Sequence, residues 1–268
     1  MTKTIAFANI KGGTGKTTTC VNIAGYLVKR GDKSQVLVVD FDPQANATSG
    51  LGIDATTLEY SIYDAVLDQC EAYQGVPVTQ CILETDVENL HLLPSELNLS
   101  AITMVLQQTE DRVSILNRIL EPVRQYYDYI LIDVPSDAGL FLLNSLWAAD
   151  QVIVPLDSSV FALEALENLN TYCDDIEQMR GHQLKPLTIV LNRYSKSSSS
   201  SQKKRQPSPS EEIESALQEQ SYTVFAVPES LLVYRSQQAG LPVSHLTKTT
   251  GNLGKAYEAI AKSLATSK

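Results

Sequence analysis

Short apolar runs alternate along the chain with stretches whose apolar residues recur every three or four positions. The runs Ile5–Asn9, Val36–Val39, Leu90–Leu93, Tyr129–Ile132, Val152–Val154, Thr188–Leu191 and Val224–Val227 read as strands. They are nearly continuous in apolar residues, as strands covered on both faces must be. The stretches between them read as helices. Val21, Ile23, Ala24, Leu27 and Val28 follow the first strand, and Leu253, Tyr257, Ile260 and Leu264 form one stripe near the end. Such alternation predicts an α/β chain with a single doubly wound, mostly parallel sheet and helices on both faces. No internal repeat is visible.

One segment departs from the pattern. Ser195–Ser210 holds serine runs, the triplet Lys203-Lys204-Arg205, and Pro207 and Pro209. It carries too little apolar surface to pack and reads as a Ser/Lys-rich surface loop at about 195–210. The rest, 268 residues of which 43% are hydrophobic, suffices for one large domain spanning 1–268. No run approaches the roughly 20 apolar residues that cross a bilayer. The apolar run Ile5–Ile10 is too short for a signal peptide, so a cytoplasmic protein is expected. Cys20, Cys70, Cys81 and Cys173 form no CxxC pair and read as buried free thiols.

Charge is unevenly spread. The net charge is −10, which argues against a simple nucleic-acid binder. Residues 1–150 carry nine Lys and Arg against nineteen Asp and Glu, whereas residues 151–268 carry twelve of each. Within that neutral half, Arg180–Arg205 holds seven basic residues and no acid, a single positive patch.

The densest chemistry lies at Lys11-Gly12-Gly13-Thr14-Gly15-Lys16-Thr17-Thr18, between a strand and a helical pattern, the context a phosphate-binding loop requires. The glycines let backbone N–H groups turn inward around phosphate oxygens. A helix starting near Lys16 adds its positive dipole end. Lys16 would reach the β- and γ-phosphates, and the Thr17 hydroxyl would ligate Mg²⁺. Lys11 is a second lysine that such a loop does not need for itself, which invites a role elsewhere. Two further elements supply carboxylates. Asp40 and Asp42 follow the second strand, on the same side of an extended chain, and Asp133 ends a later one. Strand C-termini of a parallel sheet face the ligand crevice. The three should converge on the loop, holding Mg²⁺ waters and orienting an attacking water.

With these motifs the chain resembles the deviant Walker A ATPases of the ParA/Soj/MinD superfamily. The resemblance runs through Lys11–Thr18, Asp40-Phe41-Asp42-Pro43-Gln44-Ala45-Asn46-Ala47-Thr48 and Asp133-Val134-Pro135-Ser136. It continues through Leu143-Asn144-Ser145-Leu146, Phe161-Ala162-Leu163-Glu164-Ala165-Leu166 and Gly240-Leu241-Pro242-Val243. It implies ATP and Mg²⁺ as cofactors and an ATP-dependent homodimer in which Lys11 crosses to the partner's phosphates. It further implies Asp42 as the residue that positions the hydrolytic water, Asp40 and Asp133 as Mg²⁺-side carboxylates, Asn192 as the adenine-reading asparagine and Pro228 as the base-packing proline. The chain begins at its first strand, like the short ParA type. That type binds nonspecific DNA on the nucleoid, moves a plasmid, chromosome origin or organelle such as the carboxysome, and answers to a ParB-like or McdB-like adaptor. The arginines it carries after the proline are replaced here by Glu229 and Leu232. The DNA contacts therefore fall to Arg193, Lys196, Lys203, Lys204, Arg205 and Arg235. Two alternatives stay open: a membrane-cycling ATPase like MinD, and a metabolic enzyme of the same superfamily. The first needs an amphipathic C-terminal helix, and Lys255–Leu264 is alanine-rich and weakly apolar instead.

Overall fold

The computed structural model describes residues 2–31, 33–70, 72–184, 187–197 and 206–266. Eight strands form one sheet: β1 (Lys3–Phe7), β2 (Val36–Asp40), β3 (Leu83–Glu84), β4 (Leu90–Leu93), β5 (Tyr129–Asp133), β6 (Gln151–Leu156), β7 (Thr188–Tyr194) and β8 (Thr223–Pro228). Their order is β3-β4-β2-β5-β1-β6-β7-β8. All seven expected strands are present. The eighth, β3, is the one antiparallel member among the described residues, pairing Leu83 with Leu92 and Glu84 with His91 at the sheet edge. Two residues are too few to show a period, which is why the apolar pattern does not reveal it.

Period-2 alternation divides the core between the two faces. Ala6 and Ala8 of the first strand region, with Leu37, Val39, Ile130 and Ile132, point to one cluster; Ile5, Phe7, Val36, Val38 and Leu131 point to the other. The second cluster is closed by the helices Lys16–Val28 and Gly251–Thr266. In the last helix Leu253, Tyr257, Ile260 and Leu264 are all buried, so the expected stripe is the packing face. Tyr257 stacks on Tyr26 with ring centroids 6.2 Å apart. Lys3 and Arg30 donate to the carbonyls of Leu264 and Ala261, placing cations at the negative end of that helix.

The chain runs from β1 to β2 and β4 on one side, returns through β5, and continues on the other side with β6, β7 and β8. The reversal falls at β1 and opens a crevice at its C-terminal end. Beside that crevice the short helix Asn46–Gly50 packs against the helix Leu231–Ala239 through two crossing glycines. Gly52 and Gly240 both have positive φ, +81° and +63°, and a Cβ on Gly240 would stand 2.4 Å from the Cα of Gly52.

The segment expected as a loop is shorter than its composition suggests. A helix begins at Pro209 and runs to Glu219. Ser208 caps it, accepting from the Glu211 N–H, while Glu211 accepts from the Ser208 N–H. Proline at the first helical position and the Ser-x-x-Glu box explain why the helix starts there. The segment's ends are stitched together, the Ser208 hydroxyl donating to the Ser195 carbonyl at 2.6 Å. Lys203, Lys204 and Arg205 lie outside the described residues.

Because neither glycine backbone can recede, Gly240→Ala is expected to cost about 1–3 kcal/mol. Chemical denaturation of parent and variant checks this; an unchanged midpoint would contradict the close approach.

Candidate functional site

The phosphate loop joins β1 to the helix Lys16–Val28, and its geometry is fixed from below. Asn9 accepts from the Lys11 N–H at 2.9 Å and donates to the Pro155 carbonyl at 2.7 Å, tying the loop's start to β6. Gly15 sits at φ +90°, and a Cβ there would fall 2.7 Å from Asn192 Nδ2, so no other residue fits the turn. Asn192 is buried at the end of β7. Its Nδ2 donates to the Thr14 carbonyl at 2.8 Å and to the Thr19 hydroxyl at 3.0 Å.

Lys16 is buried beneath the loop. Its Nζ donates to Ser136 Oγ at 2.7 Å and lies 3.4 Å from the Lys11 carbonyl. Burial pulls the Lys16 ammonium below its ordinary range, against the opposing pull of Asp133, Asp42 and Asp137. Ser136 follows the strand-end Asp133 by three residues, and nothing in the loop motif itself points to it.

Asp40 and Asp133 are paired residues on the neighbouring strands β2 and β5, and both are fully buried. Their environments differ. Asp40 Oδ2 accepts from both the N–H and the hydroxyl of Thr48 at 2.7 Å, and Oδ1 accepts from the Asp42 N–H at 3.2 Å. Its carboxylate therefore pins the short helix at Asn46–Gly50 and the Asp42 backbone. Burial outweighs these bonds and pushes its pKa up to about 6. Among the described residues neither Asp133 oxygen meets a donor in full hydrogen-bond geometry, although the Thr17 hydroxyl is close enough to favour the charged form. Burial, then the neighbouring Asp40 charge, pushes it well above the usual carboxylate range, and Thr17 and Lys16 oppose this only in part. Asp42 is half-buried, accepts from the Gln44 N–H at 2.9 Å, and takes a hydrogen bond from Ser95 on its carbonyl.

Two adjoining clefts meet at Gly13, Gly15, Thr18 and Gln237. One, of about 530 Å³, is lined by Lys16, Thr17, Asp42 and Ser136. The other, of about 540 Å³, is lined by Asn192, Arg193, Val227, Pro228, Tyr234 and Tyr257. The polar cleft has the size and chemistry for a triphosphate, and the more apolar one for a base. An orphaned, buried Asp133 carboxylate beside the Thr17 hydroxyl fits Mg²⁺, a hard cation that takes oxygen ligands and keeps several waters. Among the described residues no group of three or more His, Cys, Asp and Glu could hold a metal by itself.

The structure thus gathers Gly12, Gly13, Thr14, Gly15, Lys16, Thr17, Thr18, Asp40, Asp42, Asp133, Asn192 and Pro228 around one crevice. Lys11 stands at its rim, paired with Asp157. It separates the expected basic contacts. Arg193, at φ +53° on a bulge of β7, donates to the Gly13 carbonyl at 2.6 Å and belongs to the loop's surroundings. Lys196 is exposed beyond it, and Arg235 is exposed on the helix Leu231–Ala239. Asp157 is not among the expected site residues, although, like them, it lies at the C-terminal end of a parallel strand, directly after β6.

Fold and site together define a P-loop nucleotide-binding α/β protein. The AAA domain family matches residues 2–186, more than half of the chain. Over 202 residues it is 34% identical to the chromosome partitioning protein ParA of Caulobacter vibrioides, covering 75% of this chain and 73% of that one. Over 169 residues it is 44% identical to the sporulation initiation inhibitor protein Soj of Bacillus subtilis, covering 63% of this chain and 64% of Soj, less than two thirds of its length. The chain belongs to the ParA/Soj family of P-loop ATPases. Among solved structures, the Cyanothece McdA–ATP complex superposes with a TM-score of 0.84 at 24% identity, covering 100% of this chain and 98% of that one, and shows the fold. The cobyrinic acid a,c-diamide synthase of Mycobacterium smegmatis, with an ATP analogue and magnesium bound, superposes at 0.77 with 27% identity, covering 99% and 95%.

The raised pKa values carry a stability consequence. Between about pH 4 and 6 the folded chain holds a proton on Asp40 that the unfolded chain has released, so the stability it contributes is present below about pH 4 and is lost as pH rises through about 6; Asp133, raised well above the usual range, acts in the same direction. Asp133→Asn removes the carboxyl whose ionisation burial opposes and should stabilise the nucleotide-free chain by about 1–3 kcal/mol at pH 7.5, a gain that shrinks towards pH 4.5. Urea midpoints at the two pH values measure it; destabilisation at pH 7.5 would contradict the assignment.

Proposed function

We propose that the chain is a positioning ATPase of the partition type: it binds Mg²⁺–ATP, dimerises in that state, and hydrolyses ATP to ADP and phosphate. The observation that carries this is the meeting of the phosphate loop with Asp42 in one cleft, where the buried strand-end carboxylate Asp133 acts on Lys16. The loop N–H groups and Lys16 cradle the β- and γ-phosphates, displacing Ser136 from the Lys16 ammonium. Thr17 and Asp133 would hold Mg²⁺, which would supply charge neutralisation for the phosphate oxygens. Asp42 orients a water in line with the γ-phosphorus; the new P–O bond forms as the bond to the bridging oxygen breaks, ADP leaves with that oxygen, and the water's proton passes to the released phosphate. Asp40 keeps Asp42 in place through its backbone N–H. In the neighbouring cleft Asn192 has given its N–H groups to the loop, so its Oδ1 is the acceptor left for an adenine amino group, with Pro228 against the ring.

Lys11 supplies the differential affinity for the dimer. A γ-phosphate offers charge at the interface to the partner's Lys11, so ATP and not ADP favours association. Asp42→Ala should retain ATP binding and lose hydrolysis by about 10²–10⁴-fold, and with ATP it should sediment as a dimer that Lys11→Ala breaks. Parent-rate turnover by Asp42→Ala would remove the mechanism; one mass with ATP, ADP and no nucleotide would remove the dimer.

The DNA-binding surface follows from charge. A protein at −10 is repelled by DNA as a whole, yet the segment 180–205 holds seven cations and no acid. With Arg193 committed to the loop, nonspecific DNA binding on the nucleoid falls to Lys196, Lys203, Lys204 and Arg205, doubled in the dimer, with Arg235 as a separate exposed contact. The ParA name of the Caulobacter relative supports a partition cargo and a ParB-like adaptor, and the McdA fold supports an organelle cargo with an McdB-like one. Replacing Lys203, Lys204 and Arg205 together by alanine should weaken ATP-dependent DNA binding and flatten its salt dependence, whose log–log slope is about −0.9 per phosphate neutralised. Unchanged affinity and slope across a salt series would move the DNA surface to Arg235.

A further inference from the structure

The Lys11 ammonium has three N–H donors, and all three are spent within its own chain. Nζ donates to Asp157 Oδ1 at 2.8 Å, to Asp157 Oδ2 at 2.7 Å and to Ser159 Oγ at 2.5 Å. Both ends are partly shielded, with 29% of the Lys11 and 19% of the Asp157 side chain exposed. The Lys11 backbone is fixed as well, its N–H given to Asn9. Nothing of this lysine is free for a phosphate until these contacts open.

We infer that Asp157 is a positioning residue that holds Lys11 in its own subunit, so that the ATP-dependent dimer forms only when phosphate on the partner outcompetes this carboxylate. The inference rests on the dimer proposed above and adds the element that sets its threshold. Two further observations support a hand-over rather than a static bridge. Arg193 Nη2 stands 3.9 Å from Asp157 Oδ2, the same oxygen that Lys11 holds at 2.7 Å. When Lys11 leaves, a second cation is in place to keep the carboxylate paired, and the desolvation cost of an orphaned charge is avoided. Burial alone would raise the Asp157 carboxyl; the hydrogen bonds from Lys11 and Ser159 outweigh it and hold it below the usual range, so it stays charged and available to either partner. The same turn also exposes Val160 and Phe161, 89% and 61% accessible, an apolar pair directly beside the latch for a second copy of the chain to cover.

The test uses the full chain in an Asp42→Ala background, where ATP is not consumed, with sedimentation across a range of protein concentrations. Adding Asp157→Asn removes the competing charge while keeping the shape. Two latches open per dimer, and a solvent-edge ion pair is worth a factor of about 1.5 to 5. The dimer dissociation constant with Mg²⁺–ATP should therefore fall by about 2- to 30-fold. Asp157→Glu, which restores the charge, should return it towards the parent. Ser159→Ala, which removes one of three contacts, should shift it the same way by less and serves if the Asn variant does not fold. An unchanged or weakened dimer in Asp157→Asn or Ser159→Ala, with the background dimerising normally, overturns the latch alone. A background that stays monomeric with ATP overturns the proposed dimer, and the latch with it.

Discussion

A buried carboxylate without a partner, set close to a buried ammonium, is the constraint around which this molecule is arranged. Among the described residues Asp133 meets no donor in full hydrogen-bond geometry, and Lys16 is held by one hydroxyl and a distant carbonyl. Either charge alone would be costly in such surroundings. Each lowers the other's cost, but both remain incompletely satisfied, and a magnesium-bound triphosphate is the group that would satisfy both at once. The nucleotide-free chain therefore stores unfavourable electrostatics at the place where the ligand is to act.

The fold supplies that arrangement cheaply. Parallel strands deliver their C-terminal residues to one edge, so Asp40, Asp133 and Asp157 arrive beside the loop without any long-range contrivance. What differs is how each is then engaged. Thr48 absorbs Asp40 into the scaffold, Lys11 and Ser159 engage Asp157 at the rim, and only Asp133 is left open. Crossing glycines at 52 and 240 let two helices approach behind the phosphate cleft, and Asn192 locks the loop from the base side. Three chemically similar carboxylates thus stand in three different environments because of their second neighbours.

Much of this was legible from residues alone. The seven longer strands announce themselves because both faces are buried and their apolar runs are unbroken. The loop announces itself because its glycines, lysines and threonines have few other uses in that order. The edge strand Leu83–Glu84 was not legible, being too short to show a period. The start of the helix at Pro209 was hidden by composition: serine and proline suggested loop, whereas the local Ser208–Glu211 box decided for helix. The pairing of Lys11 with Asp157 and the attachment of Arg193 to Gly13 join positions 146 and 180 residues apart. No local pattern encodes such contacts; they follow from which strands become neighbours. Arg193 shows this most clearly: its charge groups it with Lys196, while its backbone bulge turns it towards the loop.

Burial raises Asp133 well above the usual carboxylate range, and the central claim is that Mg²⁺–ATP, by favouring the charged carboxylate, expels the proton this holds. Calorimetric titration of preformed Mg²⁺ complex of a nonhydrolysable ATP analogue into the chain at pH 6.5, in two buffers of different ionisation enthalpy, reads this directly. Net proton release on binding, reduced or lost in Asp133→Asn, is the predicted result. Identical heats in both buffers for the parent would contradict it.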